Sequence, residues 1–255
     1  MDNPAKFPLV VLALSFFAMW LSARIGLFFR KRQPNLEEAK RQDLDLIVSA
    51  TLTLLGLIIG FSFSMAINRY DQRKIYEEAE ANAIGTEYVR ADLLPAAEAA
   101  RVRALLKDYI DQRILFYRTR DEHELLQIDA HTTQLQTELW SAVKAPATTQ
   151  QTPVLALVLS GMNDVLNSQG YTQAAWWNRI PTGAWLLMLA VAICSNLLVG
   201  YGAHHAEVGV IRLLVLPIVL CIAFFAIADI DSPRRGTIRV RPQNLISLVQ
   251  SLQGR

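Results

Sequence analysis

The chain has 255 residues, of which 52% are hydrophobic and 19% are charged, and its formal net charge is +2. The charges lie in blocks between long apolar runs, whereas a soluble globular domain would spread them more evenly, so the composition argues against a soluble protein. The two cysteines, Cys194 and Cys221, fall inside apolar runs and therefore provide neither a disulfide framework nor a zinc signature.

Four apolar runs are long enough to cross a bilayer. A helix rises ~1.5 Å per residue, so ~20 apolar residues cover the ~30 Å of hydrocarbon. The first run, 7–29, is too long for the apolar core of a secretory signal peptide and ends in FFRKRQP, which lacks a cleavage site, so it is predicted to be a retained anchor. The other runs are 46–67, 183–201 and 210–230.

The second run continues into a charged amphipathic stretch without Gly or Pro at the junction, which predicts one helix that leaves the bilayer and enters water. The region that follows, 68–180, is polar but has apolar residues at three- and four-residue steps, such as Val102, Leu106 and Tyr109. Helix breaks are expected near Leu94-Pro95, 118–122 and 145–152.

These patterns predict an all-α integral membrane protein with four transmembrane helices and an aqueous helical domain between the second and third. The predicted parts are a first transmembrane pair in 1–67, an aqueous domain in 68–180, a second pair in 181–230 and a C-terminal tail in 231–255. Trp176, Trp177 and Trp185 surround the start of the third span, where aromatic rings are expected at the water interface.

Basic residues indicate the orientation. Their tally on the side of the helical domain and both termini favours a cytoplasmic location for that side. The cluster Arg30-Lys31-Arg32, directly after the first span, favours the opposite orientation.

Small and hydroxyl residues form a stripe on the second span. At ~100° per residue they fall within about a quarter-turn of one helical face. The stripe consists of Ser49, Thr53, Gly56, Gly60 and Ser64. One interpretation is that Gly56 and Gly60, in GxxxG spacing, let a neighbouring helix approach closely. The other is that a narrow channel needs small side chains for width and hydroxyls for ions to touch.

Two segments resemble bestrophins. Gly60-Phe61, followed by Arg69-Tyr70-Asp71 and Arg73, is similar to their second helix, and the end of the chain, 228–248, resembles the tail of bacterial bestrophins, with a Pro-containing turn, a Gly and a final helix. The whole chain is closer still to the bacterial bestrophin-like family of unknown function, through GFSFSMAINRYD, EANAIG, RADLLP and DSPRRGTIRV.

The resemblance implies a pentameric ion channel in which the second helix of each subunit lines a central pore. The implied pore-facing positions are Thr53, Leu57 and Phe61, and the stripe adds Ser49, Gly60 and Ser64 to the same lining. Charges at the pore exit would be Arg69, Asp71 and Arg73. The calcium clasp of animal bestrophins uses a run of acidic residues, whereas this chain has only Asp229 and Asp231, so calcium activation is not expected.

The sequence thus predicts a homo-oligomeric channel, with a pentamer favoured, whose partners are the bilayer and small monovalent inorganic ions, without nucleic acid or cofactor. An enzyme is not expected, since Walker, dinucleotide, GxSxG and HExxH motifs are absent from the sequence. His204, His205 and Glu207 are better explained as interfacial polar residues than as metal ligands. The alternative function is a non-conducting membrane scaffold or sensor that binds a partner through the aqueous helices.

Overall fold

The computed structural model describes residues 7–32, 38–149, 152–203 and 210–253, and within these ranges the chain is helical and has no β-strand. The helices are α1 (Pro8–Arg32), α2 (Glu38–Arg90), α3 (Ala96–Arg118), α4 (Glu122–Thr149), α5 (Pro153–Trp177), α6 (Thr182–Tyr201), α7 (Val210–Asp231) and α8 (Gln243–Gln253), with a 3-10 turn at Ala91–Leu93. The predicted all-α class is confirmed. His204, His205 and Glu207 lie outside the described residues.

Four segments are long and apolar enough to cross a membrane, as predicted. They lie in α1, in α2, in the stretch Pro153–Tyr201 and in α7. Within the third stretch, α6 contains no charged side chain, whereas α5 carries Asp164 and contributes to a packed core elsewhere. The third span is therefore α6.

The chain divides into two compact units, and the division falls inside α2. The first unit comprises Met1–Arg69 and Arg179–Arg239, and the second comprises Tyr70–Asn178 and Val240–Arg255. The domain boundaries that the sequence predicts divide the chain differently from these two compact units, and they stay predictions.

In the first unit, α1 packs against α6 and α7, and glycines allow the closest approach. A Cβ on Gly26 would lie 2.1 Å from the carbonyl oxygen of Leu197, and a Cβ on Gly200 would lie 2.1 Å from that of Ala23. Ser22 adds a hydrogen bond from its hydroxyl to the Ile193 carbonyl at 2.6 Å. Any side chain at either glycine would push α1 and α6 apart.

In the second unit, two prolines mark where a new helix begins. Leu94 is extended (φ −88°, ψ 157°), as a residue before proline must be, and Pro95 precedes α3. The Thr152 hydroxyl accepts a hydrogen bond from the Leu155 N–H, and Pro153 occupies the first turn of α5. The helix breaks predicted at these two places are confirmed.

The tryptophan prediction needs one correction. Trp176 is 4% exposed and packs in the core of the second unit, with its ring centroid 5.0 Å from Phe116 and 5.5 Å from Tyr117. It is therefore a core residue and not an interfacial ring. Its neighbour Trp177 is 73% exposed, because adjacent residues of a helix point about 100° apart.

Candidate pore-lining face

In the first unit, α2 has a buried line and an open side. Leu55, Ser62 and Ala66 are buried. At ~100° per residue, Ser62 and Ala66 each fall within ~20° of Leu55 around the helix axis. This line is the side of α2 that packs within the chain, and the opposite side is exposed, with no covering element among the described residues.

The predicted pore-lining residues all lie away from that line. At ~100° per residue they stand between ~120° and ~180° from Leu55 around the helix. Leu57 is 54% exposed and Phe61 is 65% exposed. The other exposed members are Ser49, Thr53, Gly60 and Ser64. The Thr53 hydroxyl donates to the Ser49 carbonyl at 2.8 Å, which satisfies its proton and leaves oxygen lone pairs on the exposed face.

The glycines of this stripe are not used for packing inside the chain. A Cβ on Gly56 or Gly60 would meet no atom within 4 Å among the described residues, in contrast to Gly26 and Gly200. The interpretation of Gly56 and Gly60 as a site of close helix approach is therefore wrong for contacts within one chain. Packing of a second copy of the chain against Gly56 and Gly60 stays a prediction.

The three predicted exit charges have different surroundings. Asp71 is exposed, whereas the Arg69 Nη1 lies 3.5 Å from the Asp231 carboxylate. Arg73 is 1% exposed and donates from its guanidinium to the carbonyls of Ala175 at 3.2 Å and Asn178 at 3.3 Å, at the C-terminus of α5. A cation there compensates the negative end of the helix.

The sequence did contain a signal for this difference. At ~100° per residue, Arg73 falls on the same line as Leu55, and Arg69 lies within ~40° of it, whereas Asp71 stands on the opposite side. Extending the helical register past the end of the apolar run would have placed both arginines inward.

Comparison with known proteins identifies the family. The sequence matches the bestrophin-like domain over residues 10–245. The chain belongs to the bestrophin-like family. No curated protein matches the sequence.

The fold is that of solved bacterial bestrophins. A crystal structure of a mutant bestrophin homologue from Klebsiella pneumoniae is similar with a TM-score of 0.64 and 12% identity, over 97% of this chain and 98% of that chain. A second mutant of that homologue gives a TM-score of 0.65 and 13% identity, over 96% of this chain and 97% of that chain. This bestrophin-like chain is therefore a membrane protein with the bestrophin fold.

The acidic residues after the last span do not suit a calcium clasp of the animal bestrophin type. The Asp229 carboxylate accepts hydrogen bonds from the N–H of Thr237 at 2.7 Å, its hydroxyl at 2.7 Å and the N–H of Ile238 at 2.9 Å. The Asp231 carboxylate accepts from the Ile180 N–H at 3.2 Å and faces Arg69. Donors from the chain itself already use the oxygens that calcium would need.

In the second unit of this bestrophin-like chain, α2 carries a buried ion pair between Glu80 and Arg113. The Arg113 Nε donates to one oxygen of Glu80, while Tyr117 and Thr172 donate their hydroxyls to the other at 3.2 Å. Burial alone would lower the Arg113 pKa, but the adjacent Glu80 carboxylate raises it overall. The pair ties α2 to α3 and α5, so its role is structural.

A second buried glutamate of α2 holds the final helix. Glu77 accepts hydrogen bonds from the backbone N–H groups of Asn244 at 2.9 Å and Leu245 at 3.0 Å, in the first turn of α8. A carboxylate at this end of a helix satisfies N–H groups that have no partner within the helix. Burial nevertheless raises the Glu77 pKa above its ordinary value, and the hydrogen bonds only partly offset the rise.

Proposed function

We propose that the protein is an oligomeric bestrophin-like ion channel, in which α2 of each subunit lines a central pore that conducts small monovalent ions. The observation that carries the proposal is the open side of α2. Its small and hydroxyl residues stand opposite the line by which the helix packs within its own chain, and Gly56 and Gly60 have free space in front of them. Copies arranged in a ring would bring these faces together around one axis.

The chemistry of the face suits ion passage. Ser49, Thr53 and Ser64 offer hydroxyl oxygens that replace part of an ion's hydration shell. Gly60 has no side chain and therefore leaves the proposed pore wider at its position. Leu57 and Phe61 place large apolar groups on the same side, about one turn apart, where a ring of them would form a constriction that controls wetting.

The proposal includes the assembly and its orientation. Five subunits and a bacterial inner membrane are favoured by the resemblance to bacterial bestrophin-like proteins, and the distribution of basic residues favours a cytoplasmic location for the helical domain and both termini. At the exit, Asp71 keeps an exposed charge, while Arg69 and Arg73 are engaged inside their own chain. An oligomer would therefore present a ring of Asp71 carboxylates there.

Cysteine substitution tests the proposal. In a background of Cys194→Ala and Cys221→Ala, Thr53→Cys and Leu57→Cys should make ion flux in liposomes sensitive to water-soluble, charged thiol reagents. Leu54→Cys is the matched control, because Leu54 is 49% exposed beside Thr53 but points ~100° away from it. The control should keep its flux after the same treatment.

Two outcomes would contradict the proposal. Labelling of Thr53→Cys without any change in flux, or equal block of all three variants, would show that the face does not line the path. An absence of flux from well-formed oligomers under every gradient would favour the alternative, a non-conducting scaffold or sensor.

A further inference from the structure

A cavity of about 430 Å³ lies in the first unit, where α1 and α6 end. Both helices are predicted membrane spans, so the cavity lies where acyl chains give way to headgroups. Among the described residues, its walls are apolar and aromatic, with a single charged side chain. The lining consists of Phe29, Leu44, Leu197, Leu198, Tyr201 and Arg32.

Arg32 is placed to bind an anion at the mouth of this cavity. Its side chain is exposed, and its guanidinium carbon stands 4.6 Å from the centroid of the Phe28 ring. No carboxylate in the described part of the chain pairs with it. Stacking on a ring uses the face of the guanidinium and leaves its in-plane N–H groups free, which match two oxygens of a phosphate.

Among the residues whose side chains the structure describes, Asp43 and Asp45 are the acidic residues nearest in sequence to Leu44. They flank Leu44 on α2, and both are exposed. The helical step of ~100° turns each of them away from the side that Leu44 presents to the cavity. Neither belongs to the described lining, in which Arg32 is the charged side chain.

We propose that this cavity binds one molecule of an anionic phospholipid. The phosphate pairs with Arg32, and the glycerol backbone and first acyl carbons pack against Leu44, Leu197 and Leu198. Basic pockets between membrane helices are a known mode of headgroup recognition. The cavity is separate from the stripe on α2, so the lipid-binding proposal does not depend on ion conduction.

Lipid retention measured by native mass spectrometry tests the proposal. The purified protein in detergent is mixed with dioleoyl phosphatidylglycerol or dioleoyl phosphatidylcholine, and bound lipids are counted per subunit. The wild type should retain one phosphatidylglycerol with about ten-fold preference, which corresponds to ~1.4 kcal/mol. Arg32→Gln should lose that preference and still fold, because its side chain is exposed.

Arg24→Gln is the matched control. Arg24 is an exposed arginine of the same helix whose guanidinium carbon lies 5.6 Å from the Trp20 ring centroid, but it does not line the cavity. It should keep the wild-type preference. A third variant, Leu198→Trp, fills the cavity and should weaken retention of both lipids.

The proposal is overturned if phosphatidylglycerol is retained no better than phosphatidylcholine by the wild type. Equal losses in Arg24→Gln and Arg32→Gln would also overturn it, since they would indicate attraction to the basic charge of α1 in general. Unchanged retention in Leu198→Trp would show that the lipid binds outside the cavity.

Discussion

Glu87 is the side chain whose environment is least favourable to its charge. It is fully buried in the second unit, and neither carboxylate oxygen has a hydrogen-bond partner among the described residues. A Cβ on Gly161 of α5 would lie 2.0 Å from one of these oxygens, so a larger residue there would require the Glu87 side chain to shift. Burial raises the pKa of Glu87 from 4.5 to about 8, with Arg90 lowering it and Asp164 raising it.

The pKa shift predicts a pH-dependent stability. Between the unfolded pKa of 4.5 and the folded pKa of about 8, the unfolded chain loses the proton while the folded protein keeps it. Stability from this group is therefore highest at low pH and falls until the pH passes the folded pKa. Glu87→Gln, which cannot ionise, should be more stable than the wild type at pH 8 by about 1–3 kcal/mol and similar to it near pH 5.

Apparent melting temperatures in detergent at several pH values between 5 and 8 check this prediction. Glu78→Gln is the control, because Glu78 is an exposed glutamate of the same helix. It should follow the wild type at every pH. A constant offset between Glu87→Gln and the wild type over this range would contradict the assigned pKa.

Residues with distant partners were the hardest to predict. Glu80 and Arg113 are separated by 33 positions, and Arg69 and Asp231 by 162, so no local pattern connects them. Trp176 and Trp177 are neighbours with equal intrinsic preference for an interface, and only tertiary packing separates the buried ring from the exposed one. The shared side of α2 on which the proposed pore-lining residues lie, in contrast, follows from the helical step, which the sequence shows directly.

At the scale of elements, the contact between α1 and α6 depends on glycine. Gly200→Ala places a Cβ 2.1 Å from the Ala23 carbonyl oxygen, a backbone atom that cannot rotate away. The helices must separate, which should cost about 1–3 kcal/mol of stability. Gly183→Ala on the same helix meets nothing within 4 Å among the described residues and should be neutral or slightly stabilising.

Thermal unfolding of the two purified variants in the same detergent compares them directly. Equal melting temperatures for Gly200→Ala and Gly183→Ala would mean that α1 and α6 are not packed as tightly as the structure shows. A loss confined to Gly200→Ala would support the contact.

The helices themselves were predictable because their signals are local. Apolar runs of sufficient length marked the spans, and Pro95 and Pro153 marked where new helices begin. The glycine contact between α1 and α6 was not predicted. A glycine in a sequence indicates that another helix can pack closely against it, but it does not identify that helix. Gly56 and Gly60 have the same spacing pattern as a packing motif and yet face open space within the chain.

For the whole molecule, α2 is the element that belongs to both compact units, because the division between them falls at Arg69 and Tyr70 inside this helix. Its first part carries the open stripe, and its second part is held by Glu77 and Glu80. The same helix therefore provides the proposed pore lining and an anchor in the second unit. Conduction requires that several copies place their stripes around one axis.

A single-particle density map of the protein in lipid nanodiscs, viewed along the membrane normal, shows whether the α2 helices meet around one axis. We expect a symmetric ring in which the α2 helices surround a continuous axial path, with Thr53, Leu57 and Phe61 facing it. A map in which these helices pack directly against one another or against lipid, with no continuous path between them, would rule out α2 as the lining of a pore.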